Sequence, residues 1–263
     1  MKENIKRDFF ALTTDILVFS VSNGEIEDVR KLSKKHFNVL LVKRNIEPFK
    51  GMWALPGGYV KATETTLEAT DRILLKETGL KKIFKEQLYT FDEVNRDPRM
   101  RTISTSYMAL IDKNNIKENL NEEASWFNIE LTETEKQIKI VLSNDSETIK
   151  FSVKKTLKEK TTKRNEYSII LNDKLAFDHP LIMIVGILRL REKIKDTDII
   201  FNMLPEYFTL GELQQIYEII LNKKLLDPAF RRIIANKVEK TDKMMKTGGH
   251  RPSVLFRYSS DKQ

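Results

Sequence analysis

Two glutamates and an arginine, spaced along one short segment, could handle a metal-bound diphosphate. Glu64 precedes a stretch from Thr65 to Thr78 that has helical character, and Arg72 and Glu77 lie within that stretch. Gly79 follows, at the position where a glycine commonly ends a helix. Carboxylates on one face of a helix suit Mg²⁺, which prefers hard oxygen ligands and is held against diphosphate oxygens by them. The segment therefore predicts a phosphate-handling site built on a helix.

This segment resembles the signature of the Nudix hydrolases, a family that cleaves nucleoside diphosphates linked to another group. Seven of its nine defined positions are matched in register, by Gly58, Glu64, Arg72, Leu74, Glu77, Gly79 and Leu80. The two departures are Ile73 and Lys76, which stand where the signature has glutamates. Of the three glutamates that would hold the metal, only Glu77 remains as a candidate ligand, and Glu64 and Arg72 are residual signature positions.

The two replacements predict nucleotide binding rather than hydrolysis. A branched aliphatic side chain cannot ligate a metal, and a lysine brings a positive charge where a negative one is needed. Because each carboxylate in a partly dry cleft contributes strongly, losing two of them weakens a divalent site. We therefore expect no catalytic residue and no required cofactor, with Mg²⁺ relevant only to a residual hydrolase activity. Lys76 either compensates diphosphate charge directly or is a solvated helix residue, and both interpretations stay open.

Residues around this segment look like those of the ADP-ribose branch of the Nudix family. Arg44 would end a strand at the cleft, where a guanidinium can clamp phosphate, and an aromatic side chain can stack on adenine. The ligand-binding candidates are Arg44, Phe49, Trp53, Gly57, Gly58, Lys76, Asp97 and Arg99. Two alternatives stay open, since Trp53 fits a core position equally well and Arg99 could simply pair with Asp97 in a loop.

The composition fits a folded protein with an anionic partner. Of 263 residues, 40% are hydrophobic and 32% are charged, and the formal net charge is +8. The chain has no cysteine, which excludes disulfides, thiolate metal sites and a cysteine nucleophile. Because neither a signal peptide nor an apolar run of about 18 residues is visible, we expect a cytoplasmic protein without a membrane span.

The elements that must position the phosphate site predict an α/β fold. We expect an N-terminal Nudix α/β/α sandwich with a mixed sheet over residues 1–172. Its strand-like runs are rich in β-branched and aromatic residues and cover 12–21, 37–44, 83–91 and 102–111, with helix 65–78 among them. Residues 137–172 have the pattern of a β extension, a small meander or hairpin followed by a linker, with a Lys/Thr-rich stretch at 154–164. Its role is not predicted.

Residues 173–263 predict a C-terminal α+β winged helix-turn-helix domain. The apolar spacing becomes helical, and the helix starts are marked by Asp178, by a capping box of Thr209 with Glu212, and by Asp227 with Pro228. The third of these helices would run through AFRRIIANKV. A glycine pair in TDKMMKTGGHRPSVLFRY is typical of the hairpin that forms a wing.

Basic side chains in this unit predict contact with DNA. Arg231 and Arg232 would lie near the amino end of a recognition helix in the major groove, and Arg251 would place a guanidinium at the wing tip, which can enter a minor groove. Residues 222–258 hold ten basic and three acidic side chains, although a merely soluble basic surface would have the same composition. The candidate DNA-binding residues are Thr209, Arg231, Arg232, Lys237, His250 and Arg251.

Both halves together resemble the Nudix-related transcriptional regulators of NAD metabolism, from about Phe10 to Tyr258. The resemblance is carried by LAFDHPLIM, MLPEYFTLGELQQIYEIIL, FRRII and the Gly-His-Arg-Pro wing. It implies a homodimer that binds operator DNA as a repressor of NAD-metabolism genes and is released by ADP-ribose or a related nucleotide. Two alternatives remain: a hydrolase of ADP-ribose or a similar diphosphate that recruits metal through Glu64, Glu77 and another carboxylate such as Glu68, and a structural or partner-binding relative with neither activity.

Overall fold

A mixed β-sheet with a helix on each face forms the larger part of the protein. The computed structural model describes residues 9–24, 33–115, 120–162, 164–245 and 252–259. Among them, ten strands belong to the sheet: β1 (Ala11–Asn23), β2 (Lys35–Lys43), β3 (Trp53–Ala54), β4 (Gly57–Tyr59), β5 (Phe84–Phe91), β6 (Thr102–Asp112), β7 (Ala124–Glu133), β8 (Gln137–Ser143), β9 (Thr148–Glu159) and β10 (Arg164–Asn172). The remaining elements are α1 (Thr66–Thr78), α2 (His179–Asp196), α3 (Leu210–Leu221), α4 (Asp227–Ile234), β11 (Val238–Met245) and β12 (Ser253–Tyr258).

Strand β1 lies inside the sheet, and its central side chains are apolar on both faces. The order is β10-β9-β8-β7-β2-β1-β6-β5, with β3 beside β2 and β4 beside β1. The pair of β1 with β6 is parallel, and β1 is antiparallel to β2 and β4. Successive side chains of a strand point to opposite faces. Accordingly, Ile16 and Val18 pack in the core under α1, whereas Leu17 and Phe19 pack in the core under α2.

Helix α1 confirms the helix predicted for the phosphate site. Thr65 and Glu68 form a reciprocal capping box at its start, and Gly79 ends it in the left-handed conformation with φ of 71°. Its buried face carries Ile73 and Leu74, which pack in the core with β1. The predicted stretch from Thr65 to Thr78 thus begins at the N-cap of this helix and ends at its last residue.

Helix α2 covers the opposite face of the sheet, although the predicted division after residue 172 assigned it to the DNA-binding unit. Gly186 lets the helix approach β1 closely, since a Cβ atom there would lie 1.9 Å from Cδ2 of Leu17. Asp178 occupies the N-cap position of α2 as expected, but its side chain makes no cap hydrogen bond and is bound to Arg96 instead. The completed arrangement is the expected α/β/α sandwich.

The β extension is a continuous part of the sheet. Strands β8, β9 and β10 form an antiparallel meander that continues from β7. The prediction of a linker within 137–172 was wrong, because the Lys/Thr-rich stretch belongs to the end of β9 and to the turn that follows it. Backbone pairing therefore overrides the polar composition of this stretch.

The C-terminal unit is a winged helix. A 3₁₀ turn at Ile199–Met203 precedes α3 and α4, and the antiparallel pair of β11 with β12 supplies the wing. Thr209 and Glu212 form the predicted capping box of α3. Helix α4 is shorter than expected and ends at Ile234, because Val238 already pairs with Tyr258 in the wing. None of the helices in the described ranges combines the length and apolar character needed to cross a bilayer.

Candidate functional site

A cleft of about 200 Å³ gathers five of the predicted ligand-binding residues at the β1–β4 edge of the α/β/α unit. Those five are Arg44, Gly57, Gly58, Asp97 and Arg99. The cleft also has lining residues that were not predicted, among them Asp15, Tyr59, Arg96, Phe177 and His179. Residues from the Nudix-like segment and from the start of α2 therefore meet in one site.

Arg44 is held in place by the backbone of its own loop. Its Nε donates to the carbonyl of Pro48 at 2.8 Å, and its guanidinium lies 4.8 Å from the ring centre of Phe177. Burial and the nearby charge of Arg99 lower the pKa of Arg44. Two cations that repel each other across a small cleft are stabilised by an anion between them, so this arrangement favours a phosphate group.

Arg99 pairs with Asp97 within its loop, which was one interpretation of the sequence, and it also lines the cleft, as the other interpretation requires. Its Nε and Nη2 donate to the two carboxylate oxygens of Asp97 at 3.0 and 2.7 Å. The guanidinium lies 5.5 Å from the ring centre of Tyr59 and 5.7 Å from that of Phe177. The Asp97 hydrogen bonds raise the pKa of Arg99. The carboxylate therefore orients a permanently charged, partly exposed cation toward the cleft.

Phe177 is the aromatic wall of the cleft and has a strained backbone. Its φ of 54° is rare for a residue with a large side chain and is retained where surrounding contacts enforce it. Phe49 packs edge-on against it, with ring centres 4.8 Å apart. Phe49 thus supports the wall from behind and does not line the cleft itself.

A buried network of charged side chains forms the floor. Nη2 of Arg96 bridges Oδ2 of Asp15 at 3.1 Å and Oδ1 of Asp178 at 2.7 Å, and the hydroxyl of Ser104 donates to Asp15 at 2.7 Å. Nδ1 of His179 accepts from the backbone N–H of Leu55, which leaves Nε2 to carry the proton that faces Asp15. Burial by itself would raise the pKa of Asp15, but the neighbouring His179, Arg96 and Ser104 outweigh it and hold this pKa well below its usual value.

Gly57 is required by the close approach of β4 to β1. A Cβ atom there would lie 2.5 Å from Oδ1 of Asp15 and 2.9 Å from the carbonyl oxygen of Thr14. Gly58 has more room, since its Cβ would meet Ile73 at 3.7 Å. The first glycine of the pair thus keeps the cleft backbone against the Asp15 network.

The Nudix-like segment does not fit a divalent metal. Ile73 is 4% exposed and packs in the core. The carboxylate of Glu77 is bound by Nδ2 of Asn121 at 2.9 Å and by Nζ of Lys76 at 3.0 Å. Glu64 forms a bidentate salt bridge with Arg72. No group of three acidic or histidine side chains suited to a metal ion occurs in the described ranges.

Two of the remaining candidates lie away from the cleft. Trp53 is buried in the core, where its ring packs on Phe127 at 4.8 Å and its Nε1 donates to Glu147. The core alternative for Trp53 therefore describes its position, and the stacking role is wrong. Lys76 is largely exposed and is bound to Glu77, outside the cleft lining.

The candidate DNA-binding surface is centred on α4. Arg231 and Arg232 are exposed, but they occupy the last turn of the helix and not its amino end, because α4 stops at Ile234. Lys223 and Lys224 are exposed in the turn between α3 and α4. These basic side chains lie around the helix-turn-helix, where they can contact phosphates or base edges.

The other DNA-binding candidates have different positions. Thr209 is 4% exposed, and its hydroxyl is engaged in the capping box of α3. Nζ of Lys237 is half-buried and bound to Asp198 at 2.8 Å and to the carbonyl of Thr197 at 3.2 Å. Neither side chain is free to reach DNA in this conformation. His250 and Arg251 lie outside the described residues.

Some of the unpredicted cleft residues leave a signal in the sequence. Asp15 is the only charged residue in the run that forms β1, and an ionisable group in such a buried strand often belongs to a site. Phe177 and His179 flank Asp178, for which only a capping role was inferred. Arg96 has no comparable signal, because its partners lie 81 and 82 residues away along the chain.

Comparisons with known proteins agree with this two-part architecture. A family model described as the NUDIX domain matches residues 29–144, and one described as the NrtR DNA-binding winged helix domain matches residues 200–258. The second match begins after α2, as expected from the packing of that helix on the sheet.

Similarity to individual proteins extends over nearly the whole chain. The chain is 30% identical to the ADPR responsive transcriptional repressor NtrR of Acinetobacter baylyi, over 94% of this chain and 82% of that protein. The structure of Shewanella oneidensis NrtR complexed with a 27mer DNA is 25% identical with a TM-score of 0.67, covering 95% of this chain and 94% of that one. A MutT/nudix family protein from Enterococcus faecalis shares the fold, with 24% identity, a TM-score of 0.71, and coverage of 98% of this chain and 90% of that one. The chain belongs to the NrtR family of Nudix-related transcriptional regulators.

Proposed function

We propose that this protein is a DNA-binding transcriptional regulator that responds to ADP-ribose or a related nucleotide. The observation that carries the proposal is the similarity to an ADPR-responsive repressor, which extends through both the cleft-bearing unit and the winged helix. The same similarity supports repression as the direction of control. NAD-metabolism genes are proposed as the targets from the resemblance of the sequence motifs alone. Action on chromosomal DNA would place the protein in the cytoplasm.

The cleft supports binding of a nucleoside diphosphate without a metal. Arg44 and Arg99 would bind the diphosphate, because guanidinium groups match phosphate oxygens and remain charged at all relevant pH values. The rings of Tyr59 and Phe177 offer faces against which a base or ribose could pack. Since Glu77 is engaged by Lys76 and Asn121, we infer that no metal cofactor is required and that hydrolysis does not occur.

The winged helix would bind operator DNA as a homodimer. Arg231 and Arg232 supply exposed charge on the recognition helix, and two protomers would bind two half-sites about one helical turn apart. The excess of basic residues in 222–258 would make this binding steeply dependent on salt. Ligand in the cleft would then lower operator affinity by favouring a different arrangement of the two winged helices.

One experiment on the full-length protein tests the proposal. ADP-ribose is titrated into the protein by calorimetry with Mg²⁺ or with EDTA, and the same samples are assayed for AMP and ribose phosphate. Duplexes selected by the protein from a random pool are then used to measure DNA affinity with and without ADP-ribose. We expect metal-independent binding, no product and weaker DNA binding in the presence of the nucleotide. Rapid cleavage would instead support the hydrolase, and a lack of both nucleotide and DNA binding would contradict the proposal.

A further inference from the structure

Helix α2 begins in the wall of the cleft. Phe177 and His179 line the cleft on either side of Asp178, and His179 is the first residue of the helix. Asp178 accepts two hydrogen bonds from Arg96, which also binds Asp15 on the cleft floor. A ligand that contacts this wall therefore contacts the fixed end of α2.

Besides its apolar packing, the other end of α2 is joined to the winged helix by two sets of polar contacts. Nε of Arg191 donates to the carbonyl of Ile220 at 2.7 Å, in the last turn of α3, and its Nη1 is bound to Glu133 at 3.1 Å. A cation at the carboxyl end of a helix is favourable, because unpaired carbonyls concentrate there. Immediately after α2, Thr197 and Asp198 bind Lys237, which lies between α4 and the wing.

The body of α2 is rigidly packed between these ends. Its 18 residues span about 27 Å, and nine of them are buried against the sheet and the winged helix. Because Gly186 has no side chain, the helix backbone packs directly against Leu17. A packed helix of this kind moves as a unit, so a shift at one end is transmitted to the other.

We propose that α2 couples occupancy of the cleft to the position of α3, and that Arg191 is the residue that makes this coupling. The proposal rests on the proposed function, since it assigns the path of the nucleotide response. Arg191 is 12% exposed and lies outside the cleft lining and away from α4. It is therefore a positioning residue, and its loss should remove the response without removing either binding activity.

The test measures coupling separately from affinity. The ratio of the DNA Kd with saturating ADP-ribose to that without it is determined for the full-length wild type, Arg191→Met and Arg191→Lys. Lysine keeps the charge but lacks the separate Nε and Nη1 donors that Arg191 holds in a fixed plane toward Ile220 and Glu133. The lysine variant therefore decides the question if the methionine variant does not fold. The matched control is Lys35→Met, which removes the Lys35–Glu212 contact between β2 and α3 without involving α2.

For the wild type we expect ADP-ribose to weaken DNA binding at least about tenfold. Both Arg191 variants should keep the Kd for ADP-ribose and the Kd for free-state DNA within about threefold of wild type, whereas their coupling ratio should fall below about twofold. Lys35→Met should keep the wild-type ratio. Full coupling in Arg191→Lys would overturn the inference while leaving the proposed function intact. If ADP-ribose does not change the DNA Kd of the wild type, the proposed function itself is contradicted.

Discussion

Nζ of Lys76 lies 3.0 Å from Oε1 of Glu77, so the lysine that replaces one acidic residue of the Nudix signature neutralises the acidic residue that remains. Asn121 binds the other carboxylate oxygen of Glu77. The residue that could have served as a metal ligand thus has a structural role at the end of α1.

Lys76→Ala should leave ADP-ribose affinity within about twofold of wild type, because the side chain is largely exposed and lies outside the cleft. This separates the two interpretations of Lys76 that the sequence left open. Calorimetry with Mg²⁺ and with EDTA provides the measurement. A large loss of affinity would mean that Lys76 contacts the diphosphate after all.

Arg99→Ala should lower ADP-ribose affinity about 10- to 100-fold, corresponding to about 1.5–3 kcal/mol for a hydrogen bond to a charged group. Arg101→Ala is the matched control, since Arg101 is in the same loop and donates to the carbonyls of Asp92 and Glu93, outside the cleft lining. The control should bind ADP-ribose normally. Equal losses in both variants would indicate a loop effect and not a phosphate contact.

Arg232→Ala should weaken DNA binding and leave ADP-ribose affinity unchanged. If the guanidinium contacts one phosphate, the slope of log K against log salt should decrease in magnitude by about 0.9. Arg189→Ala is the control, because Arg189 is exposed on α2, outside the winged helix. Equal loss of nucleotide and DNA affinity in Arg232→Ala would mean that α4 is not the recognition helix.

Asp15→Asn should lower stability in a pH-dependent way. Because the pKa of Asp15 is held below its ordinary value of 3.8, its charge stabilises the native state above that value, and the contribution is lost as the pH falls. Urea unfolding should show a deficit of about 1–3 kcal/mol near neutral pH that narrows below about pH 4. A deficit that stays constant down to low pH would show that the carboxylate charge is not the cause.

Gly186→Ala should destabilise the fold by about 1–3 kcal/mol, because the new methyl group overlaps Leu17 and forces α2 away from β1. Thermal unfolding is the measurement. In a Leu17→Ala background the overlapping side chain is absent. Gly186→Ala should therefore lower the stability less in that background than it does in the wild type. Identical effects of Gly186→Ala in both backgrounds would assign the loss to something other than this contact.

The parts of the structure with local signals were predictable from the sequence. The capping box at Thr209, the glycine after α1 and the strand periodicity specified elements that form as expected. The contacts that complete the cleft join residues far apart in the chain, as in the pair of Arg96 with Asp178. Neither composition nor spacing reveals such contacts. For the same reason the sequence left Trp53 open between the core and the cleft and did not predict the engagement of Lys237.

The apolar core under α2 has a consequence for folding. It runs without a break from Leu17 and Phe19 in the sheet, through Ile187 in α2, to Ile216 and Phe230 in the winged helix. We expect a hydrophobic cluster shared in this way to make the two units unfold cooperatively, because neither can melt without exposing the surface of the other. A small molecule bound in the cleft would therefore raise the melting temperature of the winged helix as well, although it contacts no residue of that unit.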